Sequence, residues 1–197
     1  MSDKYKDVVI VGAVRTPIGA HKGSLKDIKA HELGSIVIDE VLKRSNINKE
    51  EIDEVIMGQV LTAGAGQNPA RQAAIKAGIP ISKPAYIINQ VCGSGLRAVI
   101  SGFQSIKLGE SKKIISAGQE NMSLAPHSFY YRDLDEISKD KFVDTMINDG
   151  LIDAFNDYHM GVTAENVAQK FSITRKEQDD FAFNSQKKTR SKAGFRK

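Results

Sequence analysis

The sequence predicts an α/β protein with a mainly parallel sheet and helices on both faces. Over roughly the first 120 residues, short apolar segments rich in β-branched side chains alternate with segments of helical periodicity. This alternation is typical of βαβ units, in which each helix returns the chain to start a parallel strand. A hydrophobic content of 41% over 197 residues is enough for a core of ordinary size.

Four segments are predicted as buried strands because they are short, apolar and rich in β-branched residues. They are residues 7–13 (DVVIVGA), 53–61 (DEVIMGQVL), 85–91 (AYIINQV) and 112–118 (KKIISAG). The first follows the charged N-terminus directly, which is not the pattern of a secretory leader.

Three helices are predicted between these strands. Residues 30–44 form the first, and its predicted inward face is Leu33, Ile36, Val37, Val41 and Leu42. Residues 68–78 form the second, with Asn68 as the cap and Pro69 at the first helical position. The third follows Cys92, and its predicted inward face is Leu96, Val99, Ile100, Phe103 and Ile106.

The pattern changes near residue 121. Residues 121–158 are polar and acidic and are predicted as loops, with a short helix around FVDTMINDG. Two helices follow, over 163–171 and 174–194, and Thr174 with Glu177 has the spacing of a capping box. The chain is therefore predicted to have a domain over residues 1–120 and a second, partial domain over 121–197.

Composition excludes several classes of protein. The net charge of +4 is uneven, because residues 133–157 are acidic and residues 186–197 are basic. The basic end has no aromatic platform, zinc ligands or recognition motif beside it, so we interpret it as a solvated helix end and expect no nucleic-acid partner. No apolar run has the length of a membrane span. The single cysteine cannot form an internal disulfide, which predicts a cytoplasmic protein.

That cysteine, Cys92, lies where a predicted strand meets a predicted helix. In an α/β sheet this turn is at the carboxyl ends of the strands, where ligands bind. A thiol at a helix N-terminus is near unpaired N–H groups and the positive end of the helix dipole, which favours the thiolate. Gly93 and Gly95 would allow a sharp turn and close approach of a substrate. The arrangement favours a nucleophile with an oxyanion-binding N–H, although a lone cysteine can also be a small packing residue.

The residues around Cys92 resemble those of the thiolase family, the acetyl-CoA acetyltransferases and 3-ketoacyl-CoA thiolases. The similarity extends over nearly the whole chain. The motifs that carry it are VRTPIG (14–19), GQNPARQAA (66–74), NQVCGSGLRAV (89–99), AGQENMSLAPH (117–127), DTMINDGLIDAF (144–155) and YHMGVTAENVA (158–168). The resemblance implies a thiolase-like fold, with the α/β domain followed by part of the loop domain that covers the substrate.

The resemblance also implies roles for single residues. Cys92 would carry the acyl group as a thioester, and His159 with Met160 would line the acyl pocket. Without the resemblance, His159 would be interpreted as a structural polar contact and Met160 as core filling. His127 and Glu120 lie in family motifs and are interpreted as scaffold residues. Two further histidines, His21 and His31, match no catalytic position and are predicted at the surface.

The chain departs from the family pattern in what it lacks. The family's Gly-His-Pro histidine, its second cysteine in Cys-x-Gly and its Asn-Glu-Ala-Phe motif do not occur in these 197 residues. The resemblance therefore implies only the N-terminal half of an active site, without the strand that completes the N-terminal sheet. A related condensing enzyme of the ketoacyl synthase type would share the cysteine, but YHMG and RTPIG favour thiolase.

Two functions remain open from the sequence. The first is an acetyl-CoA C-acetyltransferase half that converts two acetyl-CoA to acetoacetyl-CoA plus CoA, or the reverse, through an acyl-thioester on Cys92. Its ligands would be acyl-CoA and CoA, with no cofactor or metal. It would work as a homo-oligomer or with a complementary C-terminal half. The second is a catalytically inactive fragment that serves as an interaction module or is a gene remnant.

Overall fold

The computed structural model describes residues 7–129 and 142–193. By its internal contacts the chain separates into two compact units, Met1–Gly150 and Leu151–Lys197. This boundary lies later than the change of sequence pattern near residue 121. The assignment of a domain over residues 1–120 and a loop domain over 121–197 therefore stays a prediction.

The first unit contains a parallel sheet of three strands in the order β2-β1-β3. The strands are β1 (Glu54–Gly58), β2 (Ala85–Ile88) and β3 (Ile114–Gly118). Their carboxyl ends are in register, because Gly58 pairs with Ile88 on one side and with Gly118 on the other. The loops that follow the three strands therefore leave the sheet at the same edge.

The predicted strand over residues 7–13 is wrong, since this segment has no regular structure. A strand needs a hydrogen-bonded neighbour, and no described strand pairs with these residues. The segment instead runs past the first helix, where a Cβ on Gly12 would lie 3.0 Å from Val41. Its apolar side chains are left at the surface, with Ile10 80% exposed. Side-chain pattern alone does not show whether a strand has a partner.

Helices α1 (Ala30–Ser45) and α2 (Pro69–Lys76) pack against each other on one face of the sheet. This face holds the apolar core, which includes Ile38, Leu42, Ile52, Val55, Met57, Ala70, Ala73, Ala74, Ala77, Ile79 and Ile115. The inward face predicted for α1 is wrong in part, because Ile38 is fully buried whereas Ile36 is 53% exposed. The reason is that α1 contacts the sheet closely along Gly34, Ile38 and Leu42. These positions are about one helical turn apart and so lie on one side of the helix.

Helix α3 (Ser94–Leu108) packs on the other face of the sheet. Its buried residues are Ser94, Ala98 and Gly102. The inward face predicted for this helix is wrong, because most of its bulky residues point away from the sheet. The exposed apolar ones are Leu96, Val99, Ile100, Phe103 and Leu108. The small residues take the inner side because α3 lies too close to the strands for larger ones; a Cβ on Gly102 would lie 2.4 Å from the Ser116 hydroxyl.

Local signals placed the other elements of the first unit well. Asn68 caps α2 by accepting a hydrogen bond from the Arg71 N–H at 3.1 Å, and Pro69 is the first helical residue. The predicted short helix is α4 (Thr145–Gly150). Single-turn helices cover Lys49–Glu51 and Met122–Leu124. A short antiparallel pair, β4 (His127–Ser128) and β5 (Val143–Asp144), lies in the segment predicted as loop.

The second unit consists mainly of α5 (Met160–Lys170) and α6 (Arg175–Ala193). The predicted capping box at the start of α6 is confirmed. The Thr174 N–H donates to the Glu177 carboxylate at 2.8 Å, and the Glu177 N–H donates to the Thr174 hydroxyl at 3.3 Å. In the part of the chain that the structure describes, no helix has the length and apolar content to cross a membrane.

The structure describes only part of the acidic segment and of the basic end that the sequence showed. Residues 133–141 of the acidic segment and residues 194–197 of the basic end lie outside the described residues.

Candidate active site

Cys92 lies in the turn between β2 and α3, at the carboxyl edge of the sheet, and its side chain is exposed. It does not open the helix as predicted, because α3 begins at Ser94 with Gly93 as its N-cap. A tight turn intervenes: the Gly93 N–H donates to the Gln90 carbonyl at 3.0 Å, and the Ser94 N–H donates to the Val91 carbonyl at 3.1 Å. The cysteine is thus displayed on a bend between strand and helix.

The left-handed residue of this bend is Val91, with φ of 47°. We expected the glycines to supply the sharp turn, but Gly93 has an ordinary φ of −81°. A β-branched residue in the left-handed region is an outlier that its surroundings must hold in place. The strain of the turn therefore lies immediately before Cys92.

Glycines at the ends of two strands bring α3 down onto the sheet at this point. A Cβ on Gly58, the last residue of β1, would lie 2.4 Å from the Ser94 carbonyl carbon. A Cβ on Gly118, the last residue of β3, would lie 3.5 Å from the Gly95 Cα. The first turn of α3 therefore lies directly on the strand ends, which fixes the height of Cys92 above the sheet.

Within the described part of the chain, the Cys92 N–H donates no hydrogen bond to another backbone or side-chain group. A free backbone N–H on the same residue as an exposed thiol can donate to the carbonyl oxygen of a group that the sulfur attacks.

Buried polar side chains support the loops at this edge of the sheet. Gln119 donates to the Gln59 side-chain carbonyl at 2.8 Å, and Gln59 donates to the Leu61 carbonyl at 2.9 Å. Both glutamines are buried. They link the residues that follow β1 and β3, and so keep the carboxyl ends of the two strands together.

Glu120 acts as the scaffold residue that the sequence predicted. Its carboxylate accepts hydrogen bonds from the Val60 N–H at 2.8 Å and the Leu61 N–H at 3.2 Å. Desolvation by burial raises the pKa of Glu120 above its ordinary value, although these two hydrogen bonds act in the opposite direction. His127 is also structural, since it pairs with Asp144 across β4 and β5, with Nε2 4.0 Å from the carboxylate.

His159 and Met160 belong to the second unit, at the start of α5. His159 is the N-cap, and its Nδ1 accepts a hydrogen bond from the Gly161 N–H at 2.9 Å. The proton of a neutral imidazole in this position is therefore on Nε2, which makes the exposed edge of the ring a donor. Met160 is the first helical residue, and its N–H donates to the Leu151 carbonyl at 2.8 Å.

His21 is exposed as predicted, whereas His31, also predicted at the surface, is half-buried. It lines a cavity of about 420 Å³ in the first unit, together with Gln59, Gly64, Gln72 and Asn121. Desolvation by burial lowers the pKa of His31, more than Glu32 raises it. The sequence did not predict this cavity, because its wall is assembled from α1, α2 and the loops after β1 and β3.

Within residues 7–129 and 142–193, no group of three or more His, Cys, Asp or Glu side chains is placed to hold a metal ion. Whether the protein uses any cofactor stays a prediction.

Comparison with known proteins identifies the family. A family model described as "Thiolase, N-terminal domain" matches residues 8–197. The chain belongs to the thiolase family. This confirms the resemblance found on the motifs around Cys92.

Related thiolases are named as acyltransferases. The acetyl-CoA acetyltransferase of Paracoccus denitrificans is 55% identical over 188 residues, which are 94% of this chain and 48% of that protein. The acetyl-CoA acetyltransferase of Pseudomonas aeruginosa is 56% identical over 184 residues, which are 93% of this chain and 47% of that protein. The chain thus spans about half the length of these relatives.

A solved thiolase confirms the fold. The crystal structure of the Acat5 thiolase from Ascaris suum in complex with coenzyme A matches with a TM-score of 0.84 and 40% sequence identity. The match covers 91% of this chain and 47% of that one. The predicted thiolase-like α/β fold of an N-terminal half is therefore confirmed.

Sequence reasoning missed several residues that build the bend. Asn89 and Ser94 flank Cys92 and bind the backbone of the turn, and Gly58 and Gly118 end their strands. A signal was present for both pairs. Asn and Ser beside a turn often bond nearby backbone groups, and glycine at the end of a buried strand can mark a close backbone approach.

Proposed function

We propose that this chain supplies the acyl-accepting cysteine of a thiolase-type acyltransferase, with Cys92 as the nucleophile. The observation that carries the proposal is the bend itself: an exposed thiol and a free N–H on one residue, held at the carboxyl edge of a parallel sheet. The names of the relatives favour acetyl-CoA as the acyl donor.

In the first half of the reaction the Cys92 sulfur attacks the thioester carbonyl of acetyl-CoA. The bond from the carbonyl carbon to the CoA sulfur breaks, CoA leaves with the thiol proton, and Cys92 carries the acetyl group. The Cys92 N–H suits the developing oxyanion. In the second half a base removes an α-proton from another acetyl-CoA. The carbanion attacks the acetylated Cys92, which releases acetoacetyl-CoA and restores the thiolate; degradation reverses these steps.

His159 and Met160 would contribute to the acyl pocket. The geometry of α5 supports a donor for His159, because Nδ1 accepts from the Gly161 N–H and a neutral ring then has its proton on Nε2. In this state the ring has no free lone pair with which to remove a proton. We therefore assign His159 to binding a substrate oxygen, not to acting as the base.

The remaining catalytic groups would come from outside these 197 residues. The chain has one cysteine and no Gly-His-Pro motif, so it offers neither the second cysteine nor the activating histidine of the family pattern. We propose that a C-terminal thiolase half, on the same or a separate polypeptide, provides them. On this proposal the ligands are CoA and acyl-CoA, no cofactor is needed, and the protein works in the cytoplasm as an oligomer or with that half.

The test separates acylation from turnover. The chain is incubated with acetyl-CoA, CoA release is followed, and the Cys92 peptide is examined by mass spectrometry for an acetyl group. We expect Cys92 to become acetylated in the chain mixed with a C-terminal thiolase half, and acetoacetyl-CoA cleavage to require both. Cys92→Ser should abolish both signals.

Steady cleavage by the chain alone that is lost in Cys92→Ser would overturn the assignment of the proton-handling groups to another half. Acetylation that is unchanged in Cys92→Ser would overturn the assignment of the nucleophile.

The second candidate is a catalytically inactive thiolase fragment that serves as an interaction module. The exposed apolar side of α3 favours it, since such a patch is typical of a binding surface. A complex with a C-terminal half that forms tightly but acetylates no Cys92 would support this candidate against the first.

A further inference from the structure

The conformation of Val91 has to be maintained against its own preference. Among the described residues with positive φ outside glycine, Val91 is the β-branched one, and its φ is 47°. A β-branched side chain crowds the backbone in the left-handed region, so an isolated Val would leave it for an extended or right-handed conformation. Such a change would turn the peptide that leads into Cys92.

Two side chains bracket this residue. The Asn89 Oδ1 accepts a hydrogen bond from the Val91 N–H at 2.9 Å. The Ser94 hydroxyl donates to the Val91 carbonyl at 2.6 Å and accepts from the Gln90 N–H at 2.8 Å. The peptide groups on both sides of the Val91 Cα are thus held by side chains from outside the bend.

Ser94 does not serve the helix that it begins. The N-cap of α3 is Gly93, and no side chain caps the helix there. The Ser94 hydroxyl makes its hydrogen bonds backwards along the chain, to Gln90 and Val91, and not to the N–H groups of the first turn. Its side chain is buried beneath the bend, with 4% of the residue exposed. These bonds have their clearest use in fixing the turn before Cys92.

We infer that Asn89 and Ser94 are positioning residues that hold Val91 in the left-handed conformation and so present the Cys92 thiol and N–H to an acyl donor. The part that concerns the acyl donor rests on the proposed function, whereas the hold on Val91 does not.

The experiment measures the rate of Cys92 alkylation by iodoacetamide in the folded chain, relative to the same chain unfolded in urea. We expect Ser94→Ala to lower the folded-state rate about 10-fold, because releasing Val91 turns the peptide that leads into Cys92 and changes the exposure and surroundings of the sulfur, on which thiol reactivity depends. Ser101→Ala, a serine on the same helix, is the matched control and should leave the rate unchanged. Asn89→Leu should act like Ser94→Ala, while Asn89→Asp, which keeps the acceptor for the Val91 N–H, should retain the rate.

The deciding measurement is a double-mutant cycle with Val91→Gly. Glycine adopts the left-handed conformation without strain, so removing the Ser94 hydroxyl should then change the rate about 2-fold or less. Circular dichroism checks that each variant is folded. Equal effects of Ser94→Ala with and without Val91→Gly, or an equal effect of Ser101→Ala, would overturn the inference. If Ser94→Ala alone does not fold, Asn89→Leu against Asn89→Asp makes the same comparison.

CoA release from acetyl-CoA is measured on the same variants in the presence of a C-terminal thiolase half. If the alkylation rates are those expected from the double-mutant cycle but no CoA is released, the inference about Val91 is supported and the proposed function is contradicted. CoA release that is insensitive to Ser94→Ala and Asn89→Leu would contradict the role in presenting Cys92 while leaving the nucleophile assignment intact.

Discussion

Helices α1 and α3 cover opposite faces of the same sheet, and they are built in opposite ways. Helix α1 buries two large side chains, Ile38 and Leu42, beside the small Gly34 and Ser35, and its outer side carries charged residues such as Asp39 and Arg44. Helix α3 turns Ser94, Ala98 and Gly102 to the sheet. Its outer side carries several exposed apolar residues, with Phe103 48% and Leu96 69% exposed.

The difference indicates what each helix is for. One face of α1 is buried and the other is exposed to solvent, so α1 needs no further partner on its side of the sheet. Helix α3 is held close to the strands by small residues, which places the Cys92 bend, and it has a second apolar side that suits a further contact. The packing of the described residues is thus complete on one face of the sheet and open on the other.

Co-expression is the broadest way to test this contrast. We expect the chain alone to self-associate, because exposed apolar side chains lie on the outer side of α3 and in residues 7–13. With a C-terminal thiolase half it should form a soluble complex in sedimentation velocity. A monodisperse monomer that unfolds cooperatively and binds no hydrophobic dye would contradict this expectation.

Among substitutions, the largest expected effect is in the core beneath α1. Ile38→Ala should lower the free energy of unfolding by about 2–5 kcal/mol, because it leaves a cavity in a fully buried site. Ile36→Ala on the exposed side of the same helix is the control and should stay within about 0.5 kcal/mol. Denaturant unfolding followed by circular dichroism gives both values. Equal losses of unfolding free energy in the two variants would mean that Ile38 does not lie on the side of α1 that contacts the sheet.

The close approach of α3 can be tested at two glycines. Gly58→Ala should cost about 1–3 kcal/mol of unfolding free energy, because its Cβ would meet the Ser94 backbone, 2.4 Å from the carbonyl carbon. At Gly95 the nearest atom to a Cβ is 3.9 Å away, so Gly95→Ala should be neutral or stabilising. The two unfolding curves are compared directly, and a loss at Gly95 equal to that at Gly58 would argue against the contact.

The smallest effect on stability is expected on the outer side of α3. Phe103→Asp should change the unfolding free energy by about 0.5 kcal/mol or less, since the side chain is 48% exposed. It should nevertheless reduce self-association and dye binding, because it places a charge within the apolar side. The matched change Ile36→Asp on α1 should alter neither. Loss of the fold in Phe103→Asp would contradict the exposed position of Phe103.

Much of the fold was readable because its signals are local. The cap at Asn68, the capping box of Thr174 and Glu177, and three of the four strands follow from neighbouring residues. The inward face of α3 was misjudged for a physical reason. Periodicity identifies an apolar side, but it does not say which neighbour that side will contact, and at α3 the sheet required small residues.

Some features of the candidate site could likewise be predicted from the sequence, and others could not. The residue type and its place between a strand and a helix pointed to Cys92, and the family motifs pointed to His159 and Met160. The left-handed Val91, the two side chains that bracket it and the donor state of the His159 ring were not readable, since each depends on a dihedral angle or on one specific hydrogen bond.

By itself, then, the sequence determined the class of fold, the order of most elements and the identity of the nucleophile candidate, because these depend on local pattern and on motif. Only the tertiary structure decided which side of α3 meets the sheet, that residues 7–13 form no strand, and that the bend before Cys92 is strained at Val91. Those outcomes depend on distances between segments far apart in the chain. A Cβ at Gly58 that would meet Ser94 is a contact that no local pattern records.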